Sequence, residues 1–397
     1  MYALAGRSGR ILGMPWWLAV TLVFIFGRLI STAMLAWYAA HQGANPWTGA
    51  HPSLGDFSSI WDGRWYNLIA QAGYPKILPH DPSGHVVENS WAFLPLYPVI
   101  CSLLMTLTGL DWNTAAIAVS IVSAFGASLV IYRLFAKFLP AQQAFFAIVL
   151  FNLAPVSPIY QVAYAESLQL LLIATALLLL VNRAYLWIVP VVVLLGFTRP
   201  GALALALTLG LHGIFRFVRR KRSPFPVSDR WKLLVAIFFS IVAGFAWLII
   251  AGVVTGVPDA YVQTELAWRS VYVGWQSLIP FTPWIQAGQY WWPGPLGYAV
   301  FVGAVLLFAA VIFAPASKRL GLDMRLWMFS YSLYLLAVFF PQSSTLRLLA
   351  PLFPALGMFA TPRSRVYRVA LVLVFLVAQW FWIAQFWAIS ENDWTPP

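Results

Sequence analysis

In the stretch "SSIWDGRWYNLIAQAGYP", Ser58 to Pro75, an acid and a base, Asp62 and Arg64, lie among tryptophans in a chain of which only 9% is charged. A carboxylate held where an apolar cavity meets water is suited to remove a proton from a hydroxyl, as a general base. The same position also fits a helix N-cap or a favourable partner for a helix dipole, and spacing alone does not choose between these readings. Asp56, in "SLGDFSSIW", is the rival acid of the same loop, or else an ordinary turn aspartate. His80 and His85, in "PHDPSGHVVE", have the chemistry of metal ligands but no supporting cluster, so they read as loop residues and no metal site is expected. Cys101 is the single cysteine, which excludes an intramolecular disulfide and a cysteine-based metal cluster.

The element that must position Asp62 is short. Trp61, Trp65, Leu68/Ile69 and Ala72 recur at helical spacing, while Arg64, Asn67 and Gln71 share another side, and Gly73 with Pro75 supplies a stop. The pattern predicts an amphipathic helix lying in the membrane interface with its indoles at headgroup depth.

That there is a membrane follows from composition. The 397 residues are 61% hydrophobic and 17% aromatic, with mean hydropathy +0.78, well beyond a soluble domain. Apolar segments fall at about 15–38, 91–108, 112–132, 143–160, 167–182, 185–198, 201–215, 233–254, 295–314, 326–341, 346–360 and 367–389. The fold class expected is an all-α polytopic membrane protein, one membrane domain over 1–397, with about 11–12 membrane helices. The formal charge of +12 reads as topology rather than nucleic-acid binding. Arg7 and Arg10, Arg133/Lys137, Arg183, the basic loop 216–232, Lys318/Arg319/Arg325 and Arg363/Arg365/Arg368 are assigned to the cytoplasmic side, leaving Arg64, Lys76, Arg199, Arg269 and Arg347 outside. Arg28 falls inside the first span and needs a partner. Parity then requires that one of the segments 91–108 and 112–132 not cross; 91–108, with Pro95 and Pro98 near its start, is expected to be interfacial or re-entrant.

Nine of the twelve acids are placed outside: Asp56, Asp62, Asp81, Glu88, Glu166, Asp259, Glu265, Glu391 and Asp393. None falls mid-span, where an ion-coupled transporter keeps one. Two outer loops, 39–90 and 255–295, are long enough to hold a site. Arginine far outnumbers lysine and no Asn-x-Ser/Thr sequon is present, which leans toward a bacterial plasma membrane.

"WDGRWYNLIAQAGYP" followed by "NSWAFLPLYP" resembles the PIG-V family, the GPI mannosyltransferase II group and its bacterial relatives. Similar matches are "YAESLQLLL" from Tyr164 to Leu172, "FTRPGAL" from Phe197 to Leu203 and "LRLLAPLFP" from Leu346 to Pro354. The resemblance implies a glycosyltransferase fold of the GT-C type, a catalytic acid in the first outer loop and a sugar on a lipid phosphate as donor. It implies a mannosyltransferase that uses polyprenyl-phosphate mannose, acts on a lipid-linked or glycan acceptor at the extracytoplasmic face, and needs no cofactor. Carried over by position, the Trp-Asp pair is Trp61–Asp62 and the Tyr-x-Glu is Tyr164–Glu166. Asp62 becomes the leading base. The outer cations Arg347, Arg199, Lys76 and Arg64 become candidates for the donor phosphate. Glu166, Tyr164, Trp61 and Trp65 become candidates for acceptor or sugar binding, with Glu166 either touching the acceptor or orienting Arg199. The alternative from another class is a transporter or flippase of a lipid-linked sugar.

Overall fold

The structure, a computed structural model, describes residues 10–11, 13–389 and 397. Arg7, Glu391 and Asp393, placed above by charge, lie outside the described residues. In hydrocarbon a backbone can satisfy its own N–H and C=O groups only within a helix or a closed barrel, and the apolar runs accordingly fold as helices. Five are long and apolar enough to cross a membrane: Trp16–His41, Trp112–Phe135, Val227–Thr255, Pro295–Phe313 and Arg365–Trp387. Shorter apolar helices lie between them: Leu96–Thr108, Ala141–Asn152, Glu166–Val181, Tyr185–Gly196 and Ala202–Val218. Gly321–Val338 adds an 18-residue helix. The chain is thus an all-α membrane protein; the one sheet among the described residues is a two-residue pairing of Arg10–Ile11 with Met14–Pro15.

Two expected segments are not continuous helices. Segment 346–360 is divided into Thr345–Leu348, Ala350–Leu352 and Pro354–Phe359, because Pro351 and Pro354 lack the N–H that a continuing helix would use. Segment 143–160 stops at Asn152 and resumes as a 3-10 turn, Ser157–Gln161, with Pro155 in the gap and Pro158 in the first turn of the 3-10 element. The carbonyls freed there account for Arg28. Its guanidinium donates to Ser157 O at 2.6 Å, Asn152 O at 3.0 Å and Gln161 Oε1 at 3.2 Å, and lies over the rings of Phe24 and Tyr160. A buried arginine in a span is therefore spent on closing a broken helix end.

Trp112–Phe135 packs along Glu166–Val181, and Val227–Thr255 packs against both Tyr185–Gly196 and Ala202–Val218. A Cβ on Gly196 would stand 2.6 Å from Ala243 O, so only glycine permits that backbone approach. The loops 39–90 and 255–295 are knitted together. Asn89 Nδ2 donates to Thr264 Oγ1 at 3.0 Å, Trp91 Nε1 to Pro75 O at 3.0 Å, and Trp247 Nε1 to Trp91 O at 3.0 Å.

The helix after Trp61 forms over Asp62–Ala72 and stops at Gly73, as its pattern requires. Its indoles, however, do not mark a headgroup face. Trp61 is buried, donating from Nε1 to Trp387 O at 3.0 Å, and Trp65 stacks on Phe93 at 5.7 Å. The chain carries enough aromatic partners to take both rings inward, and Arg64, Leu68 and Gln71 form the exposed side.

Candidate active site

Asp62 is positioned by an unusual backbone. Trp61 has φ 57 and ψ −122, a left-handed region that costs a non-glycine residue about 1–3 kcal/mol and persists only where surroundings impose it. The imposing contacts both run through Trp387: Trp61 Nε1 donates to Trp387 O, and Trp387 Nε1 to Phe57 O, both at 3.0 Å. Gln42 adds a second pair on the same end of the chain, Nε2 to Ile389 O at 2.6 Å and Ile389 N to Oε1 at 3.0 Å. Gly63 follows the kink, and a Cβ there would lie 3.2 Å from the Ala163 Cβ. This close approach brings Tyr164 Oη to the Asp62 N–H, which donates to it at 3.2 Å. The Asp62 side chain caps nothing: the cap position is Trp61, with no side-chain cap bond.

The Asp62 carboxylate instead joins three charges drawn from distant parts of the chain. Arg347 NH1 pairs with Asp62 Oδ2 and, at 3.0 Å, with Glu166 Oε1. Arg199 NH1 lies 3.0 Å from the same Glu166 oxygen and 3.9 Å from Asp62 Oδ2. Two arginines, which would repel alone, are held side by side by one shared carboxylate, and Arg347 also covers the Tyr164 ring at 5.3 Å. Burial works to lower the affinity of both guanidiniums for their protons. The carboxylates outweigh it, chiefly Asp62 for Arg347 and Glu166 for Arg199, so both are held above the ordinary arginine value. The cluster is incompletely satisfied: Glu166 Oε2 and Arg347 Nε are buried without a partner among the described residues.

The cluster forms one end of a cavity of about 430 Å³, within the usual size range of small-molecule sites. Asp62, Tyr66, Arg199 and Arg347 line it, together with apolar positions such as Leu203, Phe245 and Leu248 on the long helices. Phe245, on Val227–Thr255, is exposed, so the apolar wall of the cavity reaches accessible surface.

Of the predicted residues, Asp62, Arg199 and Arg347 meet here. Glu166 pairs with both arginines and does not line the cavity. Tyr164, Trp61 and Trp65 are likewise off the wall: Tyr164 and Trp61 brace the backbone around Asp62, and Trp65 packs on Phe93 and Trp268. Arg64 and Lys76 are exposed and away from the cavity, since nearness in sequence to Asp62 put them on the solvent side of the helix and past its end. Asp56 lies in the short helix Leu54–Phe57 and outside the cavity lining; it accepts from Ser53 Oγ at 2.6 Å and from Asn113 Nδ2 at 2.8 Å. His85 stacks on Trp275 at 4.6 Å, and no group of three His, Cys, Asp or Glu that could hold a metal is gathered among the described residues. Tyr261, Glu265, Trp268 and Arg269 also line the cavity; of these the sequence singled out Arg269 as an outer cation and Trp268 as an aromatic able to stack on a sugar, but missed Tyr261 and Glu265 as site residues. Their spacing of four, three and one residues along Ala260–Val273 marks a single helix face and was the available signal.

No family model and no curated protein matches the chain. Among solved structures it is similar to ArnT from Cupriavidus metallidurans bound to undecaprenyl phosphate, with 13% identity and TM-score 0.49 over 86% of this chain and 59% of that one. It is also similar to an oligosaccharyltransferase from Archaeoglobus fulgidus in complex with zinc and sulfate, with 13% identity and TM-score 0.43 over 93% and 54%. A further similar structure is AglB of the same organism with an inhibitory peptide and a dolichol-phosphate, with 12% identity and TM-score 0.43 over 92% and 55%. The chain spans a little over half the length of these proteins. Likenesses this distant concern outline and carry no chemistry from one protein to another.

Proposed function

We propose that the protein is a membrane glycosyltransferase of the GT-C type that transfers mannose, with inversion, from polyprenyl-phosphate mannose to an acceptor hydroxyl on the extracytoplasmic side. The observation that carries the reading is the meeting of Asp62 with Arg199 and Arg347 on the wall of a cavity whose remaining lining is largely apolar. The sequence resemblance to the PIG-V family supplies the sugar and the lipid carrier.

In this reading Asp62 takes the proton of the acceptor hydroxyl while the acceptor oxygen forms a bond to the anomeric carbon. The bond from that carbon to the phosphate oxygen breaks, and the polyprenyl phosphate leaves with the electron pair. Arg347 and Arg199 stabilise the charge that develops on it. Glu166 keeps both guanidiniums in register without touching the reacting atoms. Arg347 is shared: a phosphate on its guanidinium competes with Asp62 for it, so donor binding loosens the base at the moment it is needed.

The test is transfer of label from polyprenyl-phosphate mannose to membrane lipids or glycans by the purified protein in lipid nanodiscs. Activity abolished by Asp62→Asn supports the reading. Full activity in that variant removes Asp62 as base, and translocation of the intact donor without transfer would make the protein a transporter.

A further inference from the structure

The cavity has a second polar end, on the Ala260–Val273 helix, that the transfer step does not use. Tyr261, Glu265, Trp268 and Arg269 line it, across from Tyr334. Tyr261, one turn before Glu265, is its hydrogen-bonding neighbour. Among the described residues Glu265 makes no ion pair, and Arg269, one turn on, donates to Val338 O instead. Burial raises the Glu265 carboxyl above the ordinary glutamate value, against the opposing pull of Arg269. Trp268 Nε1 is buried with no acceptor among the described residues, and its ring stands edge-on to Trp65 and Phe93 at 5.8 and 5.9 Å. The bonds from Asn89 to Thr264 and from Arg269 to Val338 hold this face over the cavity.

This end therefore offers a carboxylate that needs donors, an indole N–H that needs an acceptor, phenols that serve as either, and flat aromatic surface. An apolar occupant would leave Glu265 with Tyr261 as its one hydrogen-bonding neighbour and the indole N–H unpaired in a partly buried site, which is costly. A second phosphate would face the Glu265 charge. A cation would approach Arg199, Arg269 and Arg347, and the charged groups about the cavity already balance: Asp62, Glu166 and Glu265 against those three arginines. What fits is a neutral ring carrying several hydroxyls.

Resting on the transferase reading above, we infer that this end is the acceptor subsite, and that the acceptor presents a neutral polyhydroxylated sugar ring to Glu265, Trp268 and Tyr261. The hydroxyls donate to Glu265 and accept from Trp268 Nε1.

The inference is tested with the full chain in nanodiscs by saturation-transfer NMR, using methyl α-D-mannopyranoside as the neutral probe and its 2-amino-2-deoxy counterpart as the cationic one. Thermal stabilisation by undecaprenyl phosphate is followed in parallel. Glu265→Gln should weaken the mannoside about tenfold, with Trp268→Phe as a second, independent variant, and neither should change stabilisation by the lipid phosphate. Mannoside binding unchanged in both variants, no saturation transfer to the native protein, or tighter binding of the amino sugar would each overturn the inference. Failure of undecaprenyl phosphate to stabilise the native protein would instead bring down the transferase reading, and is read separately from the sugar signal.

Discussion

Two buried polar clusters tie remote helices of this chain together. One is Asp62, Glu166, Arg199 and Arg347. The other joins Tyr185, His212 and Asp323, with Tyr185 Oη 3.0 Å from His212 Nε2 and His212 Nδ1 2.7 Å from Asp323 Oδ1. The triad links Tyr185–Gly196, Ala202–Val218 and Gly321–Val338; none of its members lines the cavity, and both imidazole nitrogens are used. The first cluster reaches the cavity through Asp62, Arg199 and Arg347, and leaves Glu166 Oε2 and Arg347 Nε unmatched among the described residues. Satisfied polar groups away from a cavity act as a clamp. Partly satisfied ones on a cavity wall hold capacity for something that arrives.

The comparison can be broken in several places. The largest effect should come from Asp62→Asn, which keeps the shape and removes the base; transfer should fall by about 10²–10⁴-fold, measured as labelled product per folded protein, with little loss of donor-lipid binding. Arg347→Ala strips the shared cation from two buried carboxylates. It should lower stability by about 3–5 kcal/mol and abolish stabilisation by undecaprenyl phosphate, with Arg347→Lys recovering part of both; an unchanged lipid response would deny Arg347 its place on the phosphate. Asp323→Asn should cost about 1–3 kcal/mol in thermal or denaturant unfolding while transfer per folded molecule stays at the native level. A fall in turnover there would erase the distinction between clamp and site.

Smaller still is the pH response of Glu265. Burial raises its carboxyl, so the folded protein holds that proton more tightly than the unfolded chain does. The favourable contribution is complete below the ordinary glutamate range and is lost as pH rises through the raised value. The melting temperature of Glu265→Gln should therefore equal the native one in acid and gain on it as pH rises; a gap independent of pH would show the carboxyl to be unperturbed. Asp56→Asn keeps the contact with Asn113 and should change stability by about 1 kcal/mol or less, with turnover within a few-fold of native.

How much of this was legible in the sequence depended on where charge is rare. In a chain this apolar, Arg199 and Arg347 stood out as cations not needed by cytoplasmic loops, and Asp62 as an acid at a helix start. Their meeting was not legible, because 285 positions separate Asp62 from Arg347 and no local pattern records that distance. Local proximity misled for Arg64 and Lys76, which share a neighbourhood with Asp62 but not a helix face or a cavity wall. Hydropathy misled at 346–360, where apolar content is high but prolines divide the helix, and at Trp61, whose amphipathic look is resolved by a partner 326 residues away. Glu265 was seen only as one acid of a long loop, since reading it as a site required the helix face that it shares with Trp268.

The bonds that Trp387 makes with Trp61 and Phe57 also set an order of events during biosynthesis. The strained turn that aims Asp62 is held by a residue near the far end of the chain, as is Gln42 through Ile389. While the chain is being inserted, the first loop emerges long before its restraint exists, and the turn is free to relax. The restraint is thus supplied late, when the helix Arg365–Trp387 docks, and a chain arrested before that point carries a carboxylate that has not yet been aimed.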